Sequence, residues 1–92
     1  VTVILTVRLD LPGVDSLKEK RRILKSLLTK LRSNFNISIA EVAENDRLRS
    51  AVLGVAVVSN DNSFGHQVAA KVIDKIEGTH EVVLVDYSTE SY

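Results

Sequence analysis

An α+β sandwich of four strands and two helices, in the order βαββαβ, is the fold class that the sequence predicts. Three observations carry that prediction. Residues 2–9 alternate apolar and polar side chains, and residues 51–58 run apolar on both sides, so two strands belong in the middle of a sheet. Residues 17–33 and 62–77 repeat apolar side chains at helical spacing. Shorter β-rich stretches at 36–44 and 81–90 complete the set. Two helices do not cover both faces of four strands. The natural solution is a ferredoxin-like sandwich, an antiparallel sheet of strand order 4-1-3-2 with both helices on one face. Right-handed crossovers then put the first and third strands at the centre. Residues 1–92 read as a single ferredoxin-like domain.

The first strand, Thr2 to Leu9, sets Val3, Leu5, Val7 and Leu9 against Ile4, Thr6 and Arg8. Pro12-Gly13 breaks it. Ser16 lies three residues before Glu19, the spacing of a capping box, in which the Ser hydroxyl accepts from the Glu N–H and the carboxylate returns to the Ser N–H. Asp15 and Glu19 add negative charge at the positive end of the helix dipole. In the helix, Leu17, Leu24, Leu27, Leu28 and Leu31 share an arc with Ile23 at its edge, while Lys18, Arg21, Arg22, Lys25 and Arg32 share another face. Lys30 projects elsewhere. Lys20 falls inside the apolar arc, where a long stem can lie on apolar surface, and a carboxylate partner is expected at Asp10 or Glu41. Asn34 or Asn36 is expected to take the left-handed conformation after the helix.

The second strand, Asn36 to Glu44, alternates at Ile37 and Ile39 but not at Val42, which calls for a bulge near Ala40-Glu41. Glu44-Asn45-Asp46-Arg47 is a turn. The third strand runs from Leu48 to Ser59, with Gly54 allowing close backbone approach. Residues 60–63 offer several N-caps for the second helix, in which Phe64, Val68, Val72 and Ile76 recur every four residues with Ala69 and Ile73 beside them. Gly78 fits its stop, and Glu81 to Glu90 is the last strand.

Composition excludes several classes of function. Cysteine is absent, so there are no disulfides or thiolate metal sites, which fits a reducing, cytoplasmic setting. No apolar run approaches the ~20 residues of a membrane span. Val1 to Leu9 is strand-like without a basic leader, so no signal peptide is expected, and a Val at position 1 suggests an initiator Met removed or left out. Net charge is zero, yet residues 1–32 carry eight basic and three acidic side chains and residues 33–92 carry four and nine. The molecule is dipolar, a pattern that suits a nucleic acid, an acidic partner or self-association.

Chemistry of catalysis is not signalled. His66 and His80 stand apart, without metal-site spacing. Glu41, Glu44 and Asp46 cluster in a turn, where solvated carboxylates are the plainer reading than a divalent metal. Ser16 is accounted for by capping, and Pro12-Gly13 lacks the further glycines and the Lys of a phosphate loop. No enzyme, cofactor or metal is expected.

Two surfaces remain. Lys18, Arg21, Arg22, Lys25 and Arg32 can neutralise phosphates without reading base sequence. RNA-recognition domains of similar topology stack bases on aromatic residues of the central strands, and residues 2–9 and 51–59 contain none. RNA contact should therefore run through the first helix. The sheet face away from the helices is the second surface. Ile4, Thr6, Arg8, Val52, Gly54, Ala56 and Val58 are its candidates, and an apolar patch there would suit a homodimer or a protein partner.

Leu11-Pro12-Gly13 with Ser16 to Arg22, then Asn36 to Val42, then Leu53 to Val58, resemble the YlxP-like family of small bacterial proteins of unknown function. The resemblance spans most of the chain. It implies a ferredoxin-like fold and genomic company with translation initiation factor two and ribosome-binding factor A, an association with ribosome assembly or translation. It brings no catalytic residues. Many members have Trp where this chain has Leu48. The leading expectation is a non-enzymatic RNA- or ribosome-associated factor acting through the basic helix. The alternative is a protein-interaction module, homodimeric or bound to a partner through Ile4, Thr6, Arg8, Val52 and Ala56 of the open sheet face.

Overall fold

Residues 1–92 are described by a computed structural model. Along the chain come β1 (Thr2–Asp10), α1 (Leu17–Asn34), β2 (Ser38–Ala43), β3 (Ser50–Val58), α2 (Asn62–Glu77) and β4 (Val83–Ser91). The strands form one antiparallel sheet ordered β2-β3-β1-β4, the expected 4-1-3-2 read from the other edge. The inward residues of β1 (Val3, Leu5, Val7, Leu9) and β3 (Ala51, Leu53, Val55, Val57) meet both helices in a single apolar core. A period-2 strand presents every second side chain to that core, so these eight positions follow directly from the alternation.

The start of α1 is capped as its sequence requires, with Ser16 Oγ accepting from Glu19 N–H at 3.1 Å. The return bond of the capping box is not made. The buried arc is Lys20, Ile23, Leu24, Leu27 and Leu31, while Leu17 and Leu28 are only half-buried. The core-facing line of α1 is thus rotated towards Ile23, and Lys20 sits near its middle. Neither Asn34 nor Asn36 adopts the left-handed conformation. Phe35 leaves the helix extended and packs on the core, its N–H bonding Leu31 O at 2.9 Å, so the chain passes straight into β2.

Three details of packing follow. The β2 bulge expected near Ala40-Glu41 is present, between Glu41 and Ala43, with Val42 as the extra residue. It turns Val42 over Gly54, where an added Cβ would stand 2.9 Å from Val42 Cγ1. Phe64, expected in the apolar stripe of α2, is 54% exposed. Gly65 takes the contact instead, since Val3 Cγ2 would lie 2.8 Å from a Cβ at that position. The buried line of α2 is therefore Gly65, Ala69, Val72, Ile73 and Ile76. Finally, β4 carries an irregularity that the sequence did not signal: Arg8 faces Asp86 and Leu9 faces Leu84, which leaves Val85 as an extra residue.

Candidate nucleic-acid interface

The capped start and apolar seam of α1 fix which of its cations reach solvent. Lys18, Arg21 and Lys25 are exposed, and none of the four ion pairs of the molecule involves them. Arg22 is exposed and makes a loose pair with Glu81, 3.3 Å apart. Such exposed pairs are worth little and exchange readily for another anion. Arg32 is differently placed. Its guanidinium donates to the backbone carbonyl of Ile39 on β2 at 2.9 Å, which ties it to the sheet edge. Lys30, unlike its expected direction, lines a shallow trough of about 440 Å³ with Arg22, Lys25, Ser26, Thr29 and Ser33. The exposed cations of α1 outside the sheet edge are therefore Lys18, Arg21, Arg22, Lys25 and Lys30; Arg22, Lys25 and Lys30 line the trough with three hydroxyl residues, and no hydrophobic residue lines it.

Lys20 is the one cation held inside, with 1% of its surface exposed. Its ammonium donates to the carbonyls of Glu44 at 2.8 Å and Arg47 at 2.6 Å. Glu41 Oε2 lies 3.0 Å away as an ion pair without hydrogen-bond alignment, which settles the choice between Asp10 and Glu41. A buried charge needs partners, and here two N–H bonds go to carbonyls while the Glu41 carboxylate balances the charge. Lys20 so pins α1 to the β2–β3 turn. The same turn holds Glu44 at φ 60°, the left-handed region, unusual for a residue with a full side chain. Arg8 Nη1 donates to Glu44 Oε1 at 2.9 Å and Ser50 Oγ to Glu44 Oε2 at 2.8 Å. Those two hydrogen bonds, with the Arg8 and Arg47 charges, hold the Glu44 carboxyl below the usual carboxylate range. Of the acidic cluster in the sequence, Glu41 and Glu44 are thus each matched to a cation, and no group of His, Asp and Glu is arranged to hold a metal ion.

The register places Ile4 opposite Ala56, Thr6 opposite Gly54, Arg8 opposite Val52 and Thr2 opposite Val58, all on the face away from the helices. That face is less open than its composition implies. Val52 is only 7% exposed, Arg8 is engaged by Glu44, and Val42 covers Gly54. Two shallow grooves remain on it, one of about 260 Å³ that includes Ile4, Ala40, Val42 and Ala56, with Val42 58% exposed, and one of about 180 Å³ that includes Thr6, Arg8, Val52, Asp86 and Ser88. On the helix side, a further groove of about 300 Å³ separates α2 from β4 and is lined by His66, Ala69, Ala70, Ile73, Tyr87 and Thr89 among others. His66 Nε2 and Ser91 Oγ share a hydrogen bond of 2.7 Å at its end. Contact with Glu90 pushes the Tyr92 phenol up from its ordinary value.

Topology, helix placement and core together define a ferredoxin-like α+β protein. Solved structures of this shape include two de novo designed proteins. Foldit4 has a TM-score of 0.58 at 13% identity, covering 100% of this chain and 99% of its own. Ferredog-Diesel has a TM-score of 0.52 at 15% identity, covering 99% and 85%. These likenesses speak to the fold alone. The chain belongs to the family described as protein of unknown function (DUF503), whose model matches residues 2–89. It is 34% identical over 67 residues, 73% of each chain, to the uncharacterized protein YlxP of Bacillus subtilis (strain 168). No helix is long and apolar enough to cross a membrane.

Proposed function

We propose that this protein is a non-enzymatic, cytoplasmic RNA-binding factor that holds phosphates on the outer face of α1, free RNA and the RNA of a ribosome sharing that chemistry. One observation supports the reading above others: Lys18, Arg21, Lys25 and Lys30 stand exposed without a carboxylate partner, while Lys20 and Arg32 are tied to backbone carbonyls of the fold. These are four of the seven side-chain cations that have neither an ion pair nor a side-chain hydrogen bond, the other three being Arg47, Lys71 and Lys75, so free positive charge is concentrated on this helix. The hydroxyls of Ser26, Thr29 and Ser33 among them suit phosphate oxygens. The family resemblance to proteins encoded beside translation factors points the same way.

Binding to a single-stranded RNA, measured by fluorescence anisotropy across a salt series, tests this. Five phosphate contacts give a slope of log K against log salt of about −3.5. The variant Lys18→Glu/Arg21→Glu/Lys25→Glu, whose three sites have no structural partner, is expected to fold and to lose binding. Equal affinity in the variant, or a flat salt dependence, would dismiss the proposal.

A further inference from the structure

The two edges of the sheet are not alike, and the β4 edge carries a self-complementary pattern. Thr2 and Tyr92 exchange both backbone hydrogen bonds, at 2.9 and 2.8 Å. Bonded and non-bonded pairs alternate along an antiparallel ladder. The next bonded pairs of β1 with β4 are therefore Ile4 with Glu90, Thr6 with Ser88 and Arg8 with Asp86. It follows that the N–H and C=O groups of Tyr87, Thr89 and Ser91 point out of the sheet. The Tyr87 N–H is met by its neighbour, Asp86 Oδ1, at 2.8 Å. The strand contains no Lys and no Pro, the usual guards of an edge. Tyr87, 52% exposed, stands on the helix side beside the groove between α2 and β4.

We propose that β4 pairs with β4 of a second copy of this chain, antiparallel and centred on Thr89, to give a continuous eight-stranded sheet. The register follows from charge and from the bulge. Outward groups must meet outward groups, which leaves registers centred on Tyr87, Ser88, Thr89 or Glu90. Centring on Ser88 sets Asp86 against the second copy's Glu90, twice. Centring on Glu90 sets that carboxylate against its own copy. Like charges directly opposite are destabilising. Centring on Tyr87 runs Thr89 and Ser91 into the irregular segment at Val83 to Val85, where the outward alternation is lost. Centring on Thr89 alone brings Tyr87 to the second copy's Ser91, Thr89 to Thr89 and Ser91 to Tyr87, each pair bonding through both its outward groups, with no acidic residue facing another.

The side chains agree with this arrangement. Residues directly opposite in an antiparallel pair share a face. Each Tyr87 ring then lies on the helix side over the other copy's Ser91, beside its His66, at the end of the α2–β4 groove. On the other face Asp86 comes opposite the second copy's Tyr92. The Asp86 carboxylate is a guard in the free protein, since the Tyr87 N–H must leave it to bond Ser91. This inference is independent of RNA binding. α1 packs over β2 and approaches β4 only near its start, where Arg22 meets Glu81, away from the pairing segment Tyr87 to Ser91, and so stays free in the dimer.

Sedimentation of the full chain from about 1 μM to about 1 mM is the first test, since a pairing of this small size suits micromolar affinity. A concentration-dependent dimer is expected. Thr89→Pro removes only an outward N–H and should weaken the dimer by about tenfold or more. Asp86→Ala frees the Tyr87 N–H and should tighten it by about threefold. The chain has no cysteine, so Thr89→Cys reads the register directly. On oxidation it should give a covalent dimer in high yield, whereas Ser88→Cys, too far from its own copy in this register, should not. A monomer at every concentration overturns the proposal. So does a dimer that Ile4→Lys abolishes and Thr89→Pro leaves intact, which would move the interface to the open face. Preferential cross-linking of Ser88→Cys would overturn the register.

Discussion

The edge strands β2 and β4 border the same sheet, yet one is closed by the chain itself and the other is left available. β2 has six residues, a bulge at Val42 and partners on its outward side. Arg32 donates to the Ile39 carbonyl, and the Ile37 N–H bonds Phe35 O. Lys20 and Glu41 anchor its end to α1. β4 has nine residues, and its outward bond to a side chain is the one between Tyr87 N–H and its neighbour Asp86. The comparison teaches that charge in this molecule has two uses. Cations near β2 end it and bind it to the helix above. Of the acids of β4, Asp86 guards one outward N–H and, with Glu90, decides which register a partner strand can take.

The comparison is broken most severely at Lys20. Lys20→Met removes the ammonium from two carbonyls and leaves the half-buried Glu41 carboxylate unpaired. Loss of one member of a buried pair typically destabilises by about 3–5 kcal/mol, and urea unfolding should show a drop in that range. Acidification probes the same turn more gently. The folded Glu44 carboxyl titrates below its ordinary value of 4.5. The stability it contributes is present above that value and is lost as pH falls through the lower, folded value. Glu44→Gln should therefore flatten the acid limb of a stability–pH curve, and a variant as acid-sensitive as the parent would count against the Arg8–Ser50 cradle. The smallest effects set the two edges side by side. Arg32→Ala should lower stability by about 1 kcal/mol, as the Ile39 carbonyl passes to water, whereas Asp86→Ala should fall within about 0.5 kcal/mol of the parent. A larger loss at Asp86 would mean that β4 is as closed as β2.

The fold could be read from the sequence because its signals are local. Strict alternation at Val3 to Leu9, an apolar run at Ala51 to Val58 and a cap at Ser16 each fix an element without reference to the rest. What could not be read depends on the other end of a side chain. Arg32 and Lys25 look alike on a helical projection, but only Arg32 meets a strand edge. Phe64 fits an apolar stripe by type, yet the close approach of Val3 selects the absent side chain of Gly65 instead. The sequence leaves Lys20 two acids, Asp10 and Glu41, and the packing of α1 against β2 selects Glu41. The extra residue at Val85 has no sequence mark, because Val-Leu-Val continues any strand without interruption. Of the cationic surface, the helix face is legible and the membership is not, since Arg32 is drawn off by the Ile39 carbonyl and Lys30 joins Arg22 and Lys25 at the trough.

The burial of Lys20 also divides the lysines of α1 chemically. An amine must be unprotonated and reachable to attack an acylating reagent. Lys18, Lys25 and Lys30 meet reagent in the native protein, while Lys20, ringed by three oxygens, meets it only when α1 parts from the β2–β3 turn. The helix that presents positive charge to solvent thus contains an internal clock, one amine whose rate of modification follows the opening of the fold rather than the reactivity of lysine.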